Sequence, residues 1–208
     1  MSVLRSERQL AVIVANRLHS RYGYEVFRNV NPASANFREY WAKWFSGEPL
    51  LPQPDVDLLV VDLGDLIAIE LKFIVLNRQK GRRILKRRYY EGIGQALALL
   101  CYGFDCVQLW HCFDESIDVT HIARFLENTY DLIYKLKLPI GYAALRVVED
   151  QGEVLLKEIH RSYGDPPLFE YDNPPDPRRF KASNPLCEER EAKRIREFIK
   201  HILRIPRA

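Results

Sequence analysis

The sequence predicts an α/β layered domain built on a mixed β-sheet. Three observations lead there. Strand-length apolar runs alternate along the chain with stretches whose apolar residues recur every three to four positions. Two pairs of strand-like runs are joined by Gly-containing turns, the mark of hairpins. And 208 residues with 47% hydrophobic and 28% charged content are enough for one sizeable core, which excludes wholesale disorder. The element order is helix, strand, hairpin, helix, strand, helix, hairpin, and this alternation favours layers over segregated halves.

The spacing predicts a first helix over 4–21, with Leu10, Ile13, Val14 and Leu18 on one stripe. Glu7 lies three positions before Leu10 and seven before Val14, so it shares that inward face. Gly23 ends the helix, and "YEVFRNV" (24–30) reads as a strand. In "ANFREYWAKWFSG" the residues Phe37, Tyr40, Trp41, Trp44 and Phe45 form an aromatic stripe over 37–45. Such a stripe suits first a helix packed on a core; the functional alternative is a stacking platform or a surface for a protein partner. Residues 57–63 and 66–73 are strands around a Gly64-Asp65 turn. A basic stretch follows and becomes an apolar helix by Gln95. "VQLWHCF" (107–113) is a strand, and a helix starts near Thr120 and stops before Pro139. "IGYAALRVV" and "EVLLKEIH" make the second hairpin, around Asp150-Gln151-Gly152. Six prolines between Gly164 and Pro185 suggest an extended connector. The closing helix carries its acids first and its bases last, which suits the helix dipole. The expected organisation is therefore an α/β domain over 1–163, a connector over 164–186 and an amphipathic helix over 187–208.

A net charge of +3 does not by itself demand a polyanionic partner, so the distribution of charge matters more. Cys101, Cys106, Cys112 and Cys187 contain no C-x-x-C pair, which argues for thiols in a reducing compartment rather than a zinc or iron–sulfur site. No apolar run approaches the roughly 20 residues of a membrane span, and "MSVLRSERQ" lacks the apolar core of a signal peptide. The expectation is a cytoplasmic protein with no membrane contact. The five histidines show no ligand spacing and receive no role.

The chemistry concentrates in "PDVDLLVVDLGDLIAIELKF" (54–73). Side chains two apart on a strand share a face, so Asp55 and Asp57 pair on one strand and Glu70 and Lys72 on the next. Asp57 opens the outgoing strand and Glu70 closes the returning one, so both stand at one end of the hairpin. Clustered carboxylates repel and call for a cation. Hard oxygen donors suit Mg²⁺ or Mn²⁺; such an ion polarises a phosphoryl oxygen and acidifies a bound water, while a nearby lysine stabilises developing charge. An E-x-K alone is common. One that closes an apolar strand, a hairpin after P-D-x-D, is not.

These residues resemble the PD-(D/E)xK nuclease superfamily: Pro54-Asp55, then Asp57, then Glu70-Leu71-Lys72. The motif order is most similar to archaeal Holliday junction resolvases, with Glu7-Arg8 on the first helix, Gly23-Tyr24 at the turn into the first strand, and Gln95 on the helix after the E-x-K strand. The resemblance covers about residues 4–113. It implies a restriction-endonuclease-like mixed β-sheet core flanked by helices, here with an extra C-terminal hairpin and terminal helix. It also implies catalytic roles for Asp57, Glu70, Lys72, Asp55, Glu7 and Gln95. Asp57, Glu70 and Asp55 would hold Mg²⁺ or Mn²⁺. Two aspartates compete for the metal: the family's name points to Asp55, whereas the hairpin spacing favours Asp57. The aromatic helix and the chain beyond about residue 140 depart from the small resolvases, so substrate identity does not carry over.

"RQKGRRILKRR" (78–88) holds seven bases and no acid: Arg78, Lys80, Arg82, Arg83, Lys86, Arg87 and Arg88. Tyr89 and Tyr90 follow. Bases neutralise phosphates and tyrosines stack on exposed bases, so beside a phosphodiesterase motif this run is expected to contact DNA. The sequence thus leads to a metal-dependent DNA endonuclease acting by direct hydrolysis, structure-specific (junction or branched DNA) if the resolvase likeness extends to substrate. A homodimer is expected by analogy. The competing reading is a non-catalytic nucleic-acid-binding or scaffolding module on the same fold.

Overall fold

The computed structural model describes residues 6–31, 34–45, 55–77, 83–84, 86–161, 168–171 and 175–205. Its centre is a seven-stranded mixed sheet. The strands are β1 (Glu25–Val30), β2 (Val56–Asp62), β3 (Asp65–Ile74), β6 (Cys106–Asp114), β7 (Gly141–Asp150), β8 (Glu153–Arg161) and β9 (Leu168–Tyr171), and they lie side by side in that order. β4 (Leu76–Asn77) and β5 (Arg83–Ile84) form a separate two-stranded ladder. The β1-β2-β3 meander is antiparallel, β3-β6 and β6-β7 are parallel, and β7-β8-β9 is antiparallel. Each parallel junction is bridged by a helix, as a crossover requires: α3 (Lys86–Leu99) before β6 and α4 (Val119–Lys135) before β7.

Alternation along β2 and β3 sorts the core into two layers. Leu58, Val60, Ile67, Ile69 and Leu71 meet Leu10, Ala11, Val14 and Leu18 of α1 (Glu7–Tyr22) on one face. Leu59, Leu66 and Ala68 face the other side, with α2 (Ala35–Phe45), α3, α4 and α5 (Arg190–Ile202). Each fully buried aliphatic side chain contributes roughly 2 kcal/mol of apolar burial. Ser6 caps α1 by accepting the Gln9 N–H at 3.3 Å, which makes Glu7 its first residue.

Two details differ from the sequence expectation. The first hairpin turns on Leu63-Gly64, both at positive φ, and not on Gly64-Asp65; Asp65 already pairs with Asp62. A two-residue turn of this hand needs φ > 0 at both central positions, and here an exposed leucine takes one of them. Next, part of the proline-rich stretch is structured: it carries β9 and a 3-10 turn over Pro177–Phe180. Residues 176–184 are pinned across the sheet. Tyr24 donates to Asp176 at 2.7 Å, Gln108 donates to the Pro177 carbonyl at 2.6 Å, and Asn184 donates to the Leu100 and Phe104 carbonyls. Ile195, Phe198 and Ile199 of α5 then enter the same core as α3. The aromatic stripe packs on the core through Trp41 and Phe45, in line with core packing, the two being buried, stacked on each other and edge-on to Phe198; the side chain of Phe37 lies outside the described residues. Tyr40 is exposed and Trp44 half-buried. No helix among the described residues is long and apolar enough to cross a membrane.

Candidate functional site

The β2–β3 register runs from Asp62↔Asp65 to Leu58↔Ile69, so one step further sets Asp57 opposite Glu70 on the α3 side of the sheet. Leu71 and Phe73 lie past the end of this ladder, and carboxylates meet their amides. Asp57 Oδ2 accepts the Leu71 N–H at 2.8 Å, and Glu7 Oε1, from the first turn of α1, accepts the Phe73 N–H at 3.2 Å. A buried amide needs an acceptor; here two acids supply it and are thereby fixed against one strand. Lys72 Nζ donates to Glu70 Oε1 at 2.5 Å and to the Leu71 carbonyl at 3.1 Å. Glu70 is 1% exposed and Lys72 6%.

Burial sets the electrostatics. Desolvation, then the Asp57 charge, pushes the Glu70 carboxyl up to about 8. Desolvation likewise raises Asp57 to about 6, against the lowering effects of the Leu71 N–H and of Lys72. For Lys72 burial works toward a lower pKa, but the adjacent Glu70 outweighs it and the ammonium is held above its ordinary value. Two carboxyls thus share one ammonium, and the pair titrates as a unit. One added positive charge would let both ionise.

A cleft of about 600 Å³ opens over Lys72, lined by Glu7, Lys72, Glu91, Gly94 and Gln95. Glu91 and Gln95 lie one turn apart on α3, so the glutamine expected from motif order does face the same space as Lys72. Asp55 is exposed at the entry to β2, where its charge adds to the rise at Asp57. Pro54, Arg78, Lys80 and Arg82 lie outside the described residues, as do the side chains of Arg83, Lys86, Arg87, Arg88 and Tyr89. The backbone of Arg83 pairs with Asn77, which returns the chain toward α3, and Tyr90 is 65% exposed on that helix.

The donor set suits a hard divalent ion. Its side chains are oxygen donors, and Glu70 Oε2 is buried without a hydrogen-bond partner among the described residues. An orphaned buried carboxylate oxygen is costly unless something takes it up. The set is not preassembled: no three His, Cys, Asp or Glu side chains among the described residues are grouped closely enough to hold an ion as they stand.

Sequence reasoning assigned nothing to His111, yet it belongs here. β6 pairs with β3 so that His111 stands beside Lys72. It is fully buried, with Nδ1 3.0 Å from Tyr142 Oη. Burial, then the Lys72 charge, pushes it down to about 3, so it is neutral. A histidine inside the apolar run "VQLWHCF" was the available signal. Its neighbour was not, because a parallel register across α3 has no local trace. Glu91 was also missed; its four-residue spacing from Gln95 was the clue. No protein-family model, curated protein or solved structure matches this chain.

Proposed function

We propose that this protein is a Mg²⁺- or Mn²⁺-dependent nuclease that hydrolyses phosphodiester bonds in DNA, on a restriction-endonuclease-like core. The observation that carries the reading is the convergence of Asp57 and Glu70 across one hairpin end with Lys72 beside them, Glu70 keeping an unsatisfied buried oxygen. The helix, three-strand meander, helix, parallel strand order of α1 through β6 supports the same reading.

Asp57 and Glu70 would hold the ion; Glu7, whose charge acts on both, is the next carboxylate, ahead of Asp55, whose charge acts on Asp57 alone. Bound there, the ion would supply Lewis acidity toward a phosphate oxygen and a water. The protein's own groups do the rest. Glu7 and Asp57 clamp the end of β3, so that Glu70 and Lys72 present a fixed geometry. Lys72 holds an ammonium where negative charge builds on the phosphate, in a site too buried for water to screen it. Gln95 offers an amide to a phosphate oxygen from the cleft wall. A water oxygen attacks phosphorus and gives up a proton, the bond to the leaving deoxyribose oxygen breaks, and that oxygen takes up a proton. The bases of 78–88 would neutralise flanking phosphates.

The test is incubation with plasmid, branched and single-stranded DNA in Mg²⁺, Mn²⁺ or EDTA. Cleavage should need the metal, and Lys72→Ala should lower it by on the order of 10²–10³ while binding persists. Cutting in EDTA, or cutting by Glu70→Ala, would refute the mechanism. A second reading, a non-catalytic nucleic-acid-binding module, is favoured by two observations: Lys72 already pairs with Glu70, and no ligand set is preassembled among the described residues. Under it no cutting occurs, yet affinity falls steeply with salt.

A further inference from the structure

Helix α3 carries two interior glycines, Gly92 and Gly94, although glycine is a poor helix former. The two are not equivalent. A Cβ added at Gly94 would meet nothing within 4 Å. At Gly92 it would lie 2.8 Å from Lys72 Cγ, 2.9 Å from Leu109 Cδ1 and 3.6 Å from His111 Nε2. The first two distances are shorter than real Cβ atoms show, so a side chain here would have to displace the Lys72 stem and the Leu109 methyl or lift α3 from β3 and β6. The atom under it is the stem of the lysine whose ammonium reaches Glu70 and the Leu71 carbonyl.

We propose that Gly92 is a positioning residue for Lys72: its missing side chain lets α3 press on the lysine stem and hold the ammonium down on Glu70. A lysine stem is among the most mobile side chains. Leu109 and His111 of β6 wall it laterally, and α3 closes it from above. The structural part stands alone; its catalytic consequence rests on the nuclease reading.

Two readouts separate the parts. Under native, metal-free conditions, an amine-reactive pulse followed by mass spectrometry measures labelling of Lys72 against Lys200, which is buried in α5. In Gly92→Ala the ratio should rise by on the order of tenfold, the response to loosening one charge-assisted hydrogen bond. Global destabilisation would expose both lysines and leave the ratio alone. In steady-state cleavage Gly92→Ala should lower kcat by about a hundredfold, the scale of an ångström-sized misplacement, with KM unchanged. Should Gly92→Ala not fold, Gly92→Ala/Leu109→Ala relieves the 2.9 Å contact and takes its place. An unchanged Lys72:Lys200 ratio in a folded variant overturns the proposal, as does failure of both variants to fold, since the stem itself can yield. If the wild-type protein cuts no DNA, the nuclease reading falls and the labelling ratio still decides the role of Gly92.

Discussion

Glu70→Gln isolates the charge at the centre of the site. Glutamine keeps the shape of the side chain and removes its ionisation. The wild-type carboxyl is raised from 4.5 to about 8 by burial and then by Asp57. At about 1.4 kcal/mol per unit, that corresponds to on the order of 5 kcal/mol. The folded state binds the proton more tightly than the unfolded chain, so the contribution is fully present below about 4.5 and is lost as pH rises through about 8. Asp57, raised to about 6, adds to the same trend at lower pH. Urea denaturation in EDTA between pH 5 and 9 should therefore show wild-type stability falling by several kcal/mol, and Glu70→Gln should flatten most of that slope. Metal acts in the opposite sense, because it favours the ionised pair. At a hundredfold excess over its dissociation constant, Mg²⁺ should restore about 2.7 kcal/mol to the wild type and much less to Glu70→Gln. A wild-type stability that is flat across this window refutes the electrostatic argument. Equal stabilisation of both proteins by Mg²⁺ refutes the ligand role.

Four further outcomes are expected. Lys72→Ala should lower cleavage by on the order of 10²–10³, as loss of one charge-stabilising donor does, with DNA affinity within a few-fold of wild type by anisotropy. Asp57→Asn should weaken Mg²⁺ binding in calorimetry far more than Asp55→Asn, since only Asp57 stands opposite Glu70 and is tied to Leu71; the reverse order would return the metal role to Asp55. Replacing Arg82, Arg83, Arg87 and Arg88 by alanine should reduce the slope of log affinity against log salt by about 0.9 for each phosphate no longer neutralised, and an unchanged slope would remove this run from the interface. Gly141→Ala would set a Cβ 1.9 Å from the Phe180 carbonyl oxygen. It should destabilise by roughly 1–3 kcal/mol and speed hydrogen exchange in 177–189; unchanged melting and exchange would show that this segment is not held at Gly141.

The β2–β3 hairpin was legible because its signals are local. Apolar alternation with a period of two marks strand faces, and a Gly-containing turn marks the reversal. The turn itself was displaced by one residue, and that step matters: a turn on Gly64-Asp65 would move every cross-strand pairing and separate Asp57 from Glu70. The choice of Asp57 came from hairpin spacing, whereas its pairing with Glu70 follows from the Leu63-Gly64 turn. Helical periodicity placed Glu7 on the inward face and the motif resemblance tied it to the site, and its carboxylate does reach β3. β9 was hidden because a four-residue strand amid prolines has too little pattern to register.

The sequence by itself determined the layered α/β class, the identity of the acids and the lysine, and their sharing of a strand face, since each depends on spacing within about twenty residues. Only the tertiary structure decided what surrounds them. His111 beside Lys72, Glu91 and Gln95 across the cleft, and Gly92 on the lysine stem all depend on the parallel β3–β6 register and on how closely α3 descends on it. The elevated carboxyls of Asp57 and Glu70 belong to this second kind as well. They arise from desolvation, which no residue carries in its own chemistry and which only the packed layers of the fold impose.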